Sequence, residues 1–295
     1  MADASAASRA RRERRARAAR TPAPQAAPAD AQPDAGSQDA GSRDGGSQDA
    51  AGLSPAANPD EAASLQLLET GTLEVQGRLV DASNATMYCT ISADGAEAAC
   101  VYKPVAGERP LWDFPDGTLA GREIAAYLVS RAGGWNVVPP TVYRDGPFGP
   151  GMCQLWIDAD ETVDLVELAR SGDARLRQMA VFDAVVNNAD RKIGHLLPMA
   201  SGQLYGCDHG VCFSAEYKLR TVLWQWRGKK LTAAAVDALR RSHESLTSGD
   251  LAAELHSWLT PAEVAATVRR TERLLALQTH PYPPTDWPAV PWPPI

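Results

Sequence analysis

The sequence predicts an α+β protein of two lobes, a small antiparallel β-sheet with one helix followed by a mainly helical lobe. Three observations carry this expectation. Between Leu73 and Ile157, short runs of strand character alternate with turn residues, and a single helical stretch interrupts them. From Asp160 onward the apolar periodicity becomes helical. A hairpin-like stretch stands out within these helices, His195–Pro198 and Leu204–Cys207 around Ala200-Ser201-Gly202-Gln203, with Asp190 ahead of it and Asp208 just behind it. Ligand sites commonly lie in the cleft between two such layers.

Residues 1–60 are nearly all Ala, Arg, Asp, Gly, Ser, Gln and Pro, with Leu53 the one large aliphatic after Met1. Such a stretch buries too little apolar surface to offset its ordering entropy, and the reading is a disordered tail over 1–64. Gly36-Ser37-Gln38-Asp39, Gly41-Ser42-Arg43-Asp44 and Gly46-Ser47-Gln48-Asp49 form a low-complexity repeat of linker type. The arginine run from Arg9 to Arg20 has the composition of a solvated basic arm, a transit peptide or a nucleic-acid or membrane-surface arm. Residues 1–60 hold eight arginines and eight acids, so the net charge of −7 belongs to the remainder. That balance argues against nucleic-acid binding by the folded region. No run of ~18 apolar residues exists, so no transmembrane segment is expected. Five cysteines without an export signal fit a reduced, cytoplasmic protein. Cys207, His209 and Cys212 lack a CxxC pair, and they read as buried residues around a functional Asp rather than zinc ligands.

The elements follow in order. Leu73–Val80 and Thr86–Ile91 are strand-like and joined by turn chemistry at Asp81–Ala85. Asp94-Gly95 marks a tight turn into a third strand, Ala98–Pro104. Thr118 is placed to cap a helix running to about Arg131, which Gly133-Gly134 stops. Val137–Tyr143 and Met152–Ile157 complete five strands around the turn Asp145-Gly146-Pro147. Helices are expected over 161–170 and 174–188, and later ones behind caps at Thr232 and Thr260; Thr260-Pro261-Ala262-Glu263 is a capping box. The tail 281–295, with seven prolines, Trp287 and Trp292, reads as a strap over the chain's own surface, or as a polyproline ligand. The resulting organisation is a tail (1–64), a first lobe (65–157), a second lobe (158–280) and the strap (281–295).

Lys103 ends the third strand, Glu123 lies on the helix after it, and Asp190 and Asp208 flank the hairpin. Two acids brought to one end of a hairpin can divide phosphoryl transfer, one orienting a nucleophile and one holding a metal on nucleotide phosphates. A strand lysine paired with a helix glutamate supplies a cation for those phosphates. With Val101-Tyr102-Lys103-Pro104, Gly107-Glu108-Arg109-Pro110-Leu111-Trp112, Arg122-Glu123, Asn188-Ala189-Asp190-Arg191 and Cys207-Asp208-His209-Gly210 in this order, the chain resembles the phosphatidylinositol 3-/4-kinase-like branch of the protein-kinase-like fold. Within that branch it is similar to bacterial proteins of poorly known activity, over roughly residues 70–280.

The resemblance implies a bilobal protein-kinase-like fold that binds ATP with Mg2+ or Mn2+. Lys103 would meet phosphate, Glu123 would pair with it, Asp190 would be the catalytic-loop acid and Asp208 a metal ligand with His195 or Asn188. Gln154, Leu155 and Trp156 would form the hinge facing adenine, and Ser83, Asn84 and Thr86 the loop over the phosphates, which is not a GxGxxG turn. The family's loop usually has Asn five residues after its Asp, where this chain has His195, a better ligand for manganese or zinc than for magnesium. Lys218, Arg220, Arg227, Lys229 and Lys230, interleaved with Trp224 and Trp226, suit an anionic acceptor. The expected activity is an ATP- and divalent-metal-dependent phosphotransferase acting on a protein Ser/Thr or a phosphorylated lipid or small molecule. A pseudokinase scaffold and an AMP-transferring enzyme are the alternatives.

Overall fold

The computed structural model describes residues 59–79 and 84–295. The predicted tail up to residue 58 and Ser83 lie outside the described residues.

Helix α1 (Pro59–Thr70) covers residues that the composition placed in the tail. Its hold is tertiary. Leu68 is fully buried among Cys89, Ile91, Cys100, Tyr102, Val142 and Cys153. The Tyr127 hydroxyl donates to Glu61 at 2.6 Å. At the C-terminal end, Arg144 donates to the carbonyls of Leu68 (2.7 Å) and Gly71 (2.9 Å), acceptors that a helix end leaves without partners.

Five antiparallel strands follow: β1 (Thr72–Arg78), β2 (Met87–Ala93), β3 (Ala96–Pro104), β4 (Thr141–Gly146) and β5 (Gly149–Leu155), in the spatial order β1-β2-β3-β5-β4. The β2–β3 hairpin closes through Asp94 (φ 50°) and Gly95 (φ 81°), the two positive φ values that a type I′ turn requires. A register shift between Val75 and Gly77 bends β1. Alternation along β2 and β3 sends Cys89, Ile91, Cys100 and Tyr102 into one core. Lys103 therefore lies on the opposite face. β4 begins four residues later than expected, because Val137 and Val138 pack into the helical core instead of pairing in the sheet, whereas β5 begins three residues earlier than expected.

Helix α2 (Leu119–Ala132) crosses between β3 and β4 in sequence. Thr118 stands at its N-cap position as expected but supplies no side-chain cap, its hydroxyl donating to the Pro115 carbonyl instead. The Glu108 carboxylate takes the amides of Leu119 (3.0 Å) and Ala120 (2.7 Å), placing a negative charge at the positive end of the helix. Arg122 of α2 is 1% exposed and reaches the second lobe, binding the Cys212 carbonyl (2.7 Å) and Glu263 (2.6 Å).

The remainder is helical: α3 (Leu165–Arg170), α4 (Ala174–Val186), α5 (Ala233–Thr247), α6 (Leu251–Leu255) and α7 (Pro261–Leu277). A two-stranded ribbon of β6 (Leu196–Pro198) and β7 (Leu204–Gly206) interrupts them, pairing Leu196 with Gly206. Thr232 and Thr260 cap α5 and α7 as expected, and Thr260 and Glu263 form the reciprocal box. Helix α3 starts four residues late because Asp164 is its cap, accepting the amides of Val166 and Glu167. A sheet with one crossing helix, followed by a helical lobe, matches the predicted class. Among the described residues no helix is long and apolar enough to cross a membrane.

Candidate active site

Lys103, Glu123 and Asp208 meet. The Lys103 ammonium lies 2.7 Å from Glu123 Oε1 and 2.8 Å from Asp208 Oδ1. Glu123 is almost wholly buried, and its second oxygen accepts the backbone amide of His209 at 2.8 Å. One carboxylate thus aims the strand lysine and anchors the residue after Asp208. Burial works against the Lys103 charge, but Asp208 and Glu123 outweigh it and hold the ammonium above its ordinary range. Lys103 in turn holds the Asp208 carboxyl far below the usual carboxylate range, against the effect of burial.

Asp208 follows β7 with φ 62°, a left-handed backbone that a non-glycine residue adopts at a cost of about 1 kcal/mol or more. Its side chain remains half exposed. The strain is sustained by the His209 amide on Glu123 and by Arg191. Arg191 is completely buried and ion-paired with Asp183 of α4 at 2.9 Å. It also donates to the Cys207 carbonyl (3.0 Å) and lies 2.6 Å from His209 Nε2. This one guanidinium ties α4, the loop before the hairpin and the segment after it.

Asp190 lies on that loop. Asn187 ends α4 in the left-handed region (φ 53°), and Asn188 Oδ1 accepts the Asp190 amide at 2.9 Å. The Asp190 carboxylate is 30% exposed and 3.1 Å from Lys192 Nζ. Burial raises its pKa, and Lys192 opposes the shift. Asp190 is therefore a stronger base than an open aspartate. Arg220 is clamped beside it, its amide donating to Asn188 and its carbonyl accepting from Arg191. Its Nε is buried and has no hydrogen-bond partner among the described residues.

His195 is placed as a support for Asp208. Its Nε2 is 3.4 Å from Asp208 Oδ2, and its Nδ1 accepts the Lys192 amide at 3.4 Å. With Nδ1 accepting, the ring proton resides on Nε2, the nitrogen nearer Asp208. Burial lowers the His195 pKa to about 4, against the pull of Asp208, so the ring is neutral at pH 7.

The other residues that the sequence singles out are engaged differently from what was expected. Asn188 is fully buried and braces the loop, with Nδ2 on Asp183 and Oδ1 accepting the Asp190 amide. Asn84 Oδ1 accepts the Arg109 amide at 2.9 Å, which leaves its Nδ2 as the donor side of the amide, while Thr86 is buried with its hydroxyl on the Asn84 carbonyl. Gln154 is buried and donates to Thr141, while the amides of Leu155 and Trp156 donate to Pro140 and Ala99. Lys218 is buried between Asp113 (3.3 Å) and the rings of Trp287, Trp112 and Phe114, and Trp226 is buried as well. The basic surface is thereby reduced to Arg220, Arg227, Lys229 and Lys230.

Among the described residues no three His, Cys, Asp or Glu side chains gather as a metal cage. Asp208 and Asp190 offer carboxylate oxygens. That donor set fits an ion carried on nucleotide phosphates, because magnesium is usually held by one or two carboxylates plus phosphates and water.

The chain is 45% identical over 277 residues to protein Rv2133c of Mycobacterium tuberculosis (strain ATCC 25618 / H37Rv), covering 81% of this chain and 98% of that protein. The chain belongs to the family of that protein. No protein-family model matches it. Among solved structures it is similar to a Golgi casein kinase, with TM-score 0.41 and 14% identity over 74% of this chain and 76% of the other. It is also similar to the Helicobacter pylori proinflammatory kinase CtkA, with TM-score 0.41 and 11% identity over 72% and 94%. Likeness of that degree adds no argument to the geometry.

Sequence reasoning did not assign roles to Asp183, Arg191, Lys192 or Glu108. The Asp-Arg dipeptide was the available signal for Arg191. Its buried partner lies eight residues upstream on a helix, where one acid in an apolar run marks a polar group that needs a partner.

Proposed function

We propose that this site binds ATP and transfers its phosphoryl group to an anionic or protein acceptor, in the manner of the phosphatidylinositol 3-/4-kinase-like branch. The observation that carries the reading is the Lys103 ammonium shared between Glu123 and Asp208, residues that come from three separate segments of the chain. A lysine fixed by a buried glutamate is an oriented cation, and phosphoryl transfer depends mostly on such positioned charge. A divalent ion, when bound, would neutralise charge on the phosphates, with Asp208 as its protein ligand and Asp190 close by. Asp190, its proton affinity raised by burial, would accept the proton of the acceptor hydroxyl at its carboxylate. His195 would keep Asp208 oriented through its Nε2 proton. The Arg220 guanidinium, beside Asp190, would meet an acceptor's or transferred group's negative charge. For adenine, the amide of Ile157 is the donor that remains, since those of Leu155 and Trp156 are paired within the protein.

Calorimetry of metal–ATP binding on Lys103→Ala and Asp208→Asn tests the site. A loss of at least tenfold, about 1.4 kcal/mol, is expected in each. Unchanged affinity in both folded variants removes the assignment. Mass spectrometry after incubation with ATP and Mg2+ or Mn2+ then separates transfer of phosphate from transfer of AMP and from a non-catalytic scaffold.

A further inference from the structure

A second recess lies away from the Lys103 site, along α7. It has a volume of about 670 Å3 and runs between α7 and the start of the proline-rich strap. The α7 residues that line it extend from Ala266 to Leu277, about 16 Å at 1.5 Å per residue. A trench of that length holds about five residues of extended chain at ~3.3 Å each. Its floor is apolar, and Tyr217 and Tyr282 wall one side, tied together by a 2.7 Å hydrogen bond from the Tyr217 hydroxyl to the Tyr282 carbonyl.

Arg269, Arg270 and Arg273 line the same trench, and none forms an ion pair among the described residues. Arg270 is part-buried, and three of its five N–H groups are used, on Val185 O (3.0 Å), Ser214 O (3.2 Å) and Thr267 Oγ1 (2.8 Å). Burial lowers its pKa to about 10. A sunken guanidinium without a carboxylate is costly, and two donors of this side chain, which lines the recess, have no hydrogen-bond partner among the described residues. Three uncompensated arginines are the more informative because the net charge outside residues 1–60 is −7.

We propose that this trench docks a peptide segment bearing a phosphate monoester, with the phosphate on Arg269, Arg270 and Arg273. An apolar side chain of the same segment would rest against Leu277 and Tyr282. Arginine clusters recognise phosphorylated and acidic segments through charge-assisted, bidentate hydrogen bonds. From the arginine turn to Leu277 is about 6–12 Å of helix, two to four residues of extended peptide. A concave recess on an acidic body selects a side-chain phosphate over a flat anionic membrane, which that body repels. The Ser214 carbonyl held by Arg270 also accepts Asn187 Nδ2 at 2.9 Å, so the trench shares a partner with the loop that carries Asp190. The proposal does not depend on the ATP reading.

The test is fluorescence anisotropy on the full chain. The probes are two fluorescein-labelled nonapeptides of Gly, Ser and Ala, each with phosphoserine and a Leu three residues to its N- or C-terminal side, and their unphosphorylated twins. At least one phosphopeptide is expected to bind tenfold or more tightly than its twin. Arg269→Ala/Arg273→Ala, at exposed positions, should remove that preference, and Leu277→Ser should weaken the same phosphopeptide severalfold. Equal binding of both twins, no binding at millimolar concentration, or a preference that survives the double arginine change overturns the proposal. So does binding confined to phosphatidylinositol-phosphate vesicles, or displacement by equimolar inorganic phosphate.

Discussion

At the scale of single residues, Arg191 and His195 show how much of the site is support. The Arg191–Asp183 pair is entirely buried, so removing one partner leaves the other charged and without solvent. Arg191→Ala is expected to cost about 3–5 kcal/mol of unfolding free energy, measured by denaturant titration. A loss under 1 kcal/mol would mean that the pair is not buried in solution. His195 has both ring nitrogens engaged, so it is expected to orient Asp208 rather than to ligate metal. His195→Asn should weaken metal–ATP binding severalfold, about 1 kcal/mol, and leave the manganese-to-magnesium preference unchanged. A preference that moves toward magnesium would make the histidine a ligand after all.

At the scale of elements, α1 is the informative case. Its own sequence has little amphipathic character, and residues 59–64 are compositionally close to what precedes them. The helix exists because Leu68, the Tyr127 hydroxyl and Arg144 each satisfy a different region of it. Leu68→Ala should cost about 2–5 kcal/mol, the usual range for a large aliphatic emptied from a packed core, read from thermal or chemical unfolding. An effect under 1 kcal/mol would show that α1 does not dock. The same logic explains Glu108, a loop acid that caps α2 from eleven residues upstream.

At the scale of the whole molecule, acid sensitivity follows from histidines buried in neutral form. His280 is 3% exposed, stacked on Trp226 and accepting from Arg177 Nε, and burial with Arg177 and Lys229 nearby lowers its pKa to about 4. The unfolded chain protonates near ~6.5, before the folded one. The stabilisation is therefore complete above that value and is lost as pH falls from about 6.5 to about 4, up to roughly 3 kcal/mol for this residue. Unfolding free energies at pH 7, 5.5 and 4.5 should fall less steeply for His280→Gln than for the parent. Parallel pH profiles would show that His280 titrates normally in the folded state.

The order of the chemistry was legible in the chain. Strand lysine, helix glutamate and two hairpin aspartates follow from alternation, turn residues and caps, which are local properties of the backbone. Those signals placed Lys103, Glu123 and Asp208 on the elements that bring the lysine within hydrogen-bond reach of both acids. The partners of each side chain were not legible. Whether Asn188 is a ligand or a brace depends on Asp183 and on the Asp190 amide. Whether Lys218 is surface or core depends on Asp113, Trp112 and Trp287, which are far from it along the chain. Residue type and spacing determined which groups share an element and in what order; only the tertiary structure decided which polar atoms were already satisfied, because a hydrogen bond is spent on whichever partner packing brings near.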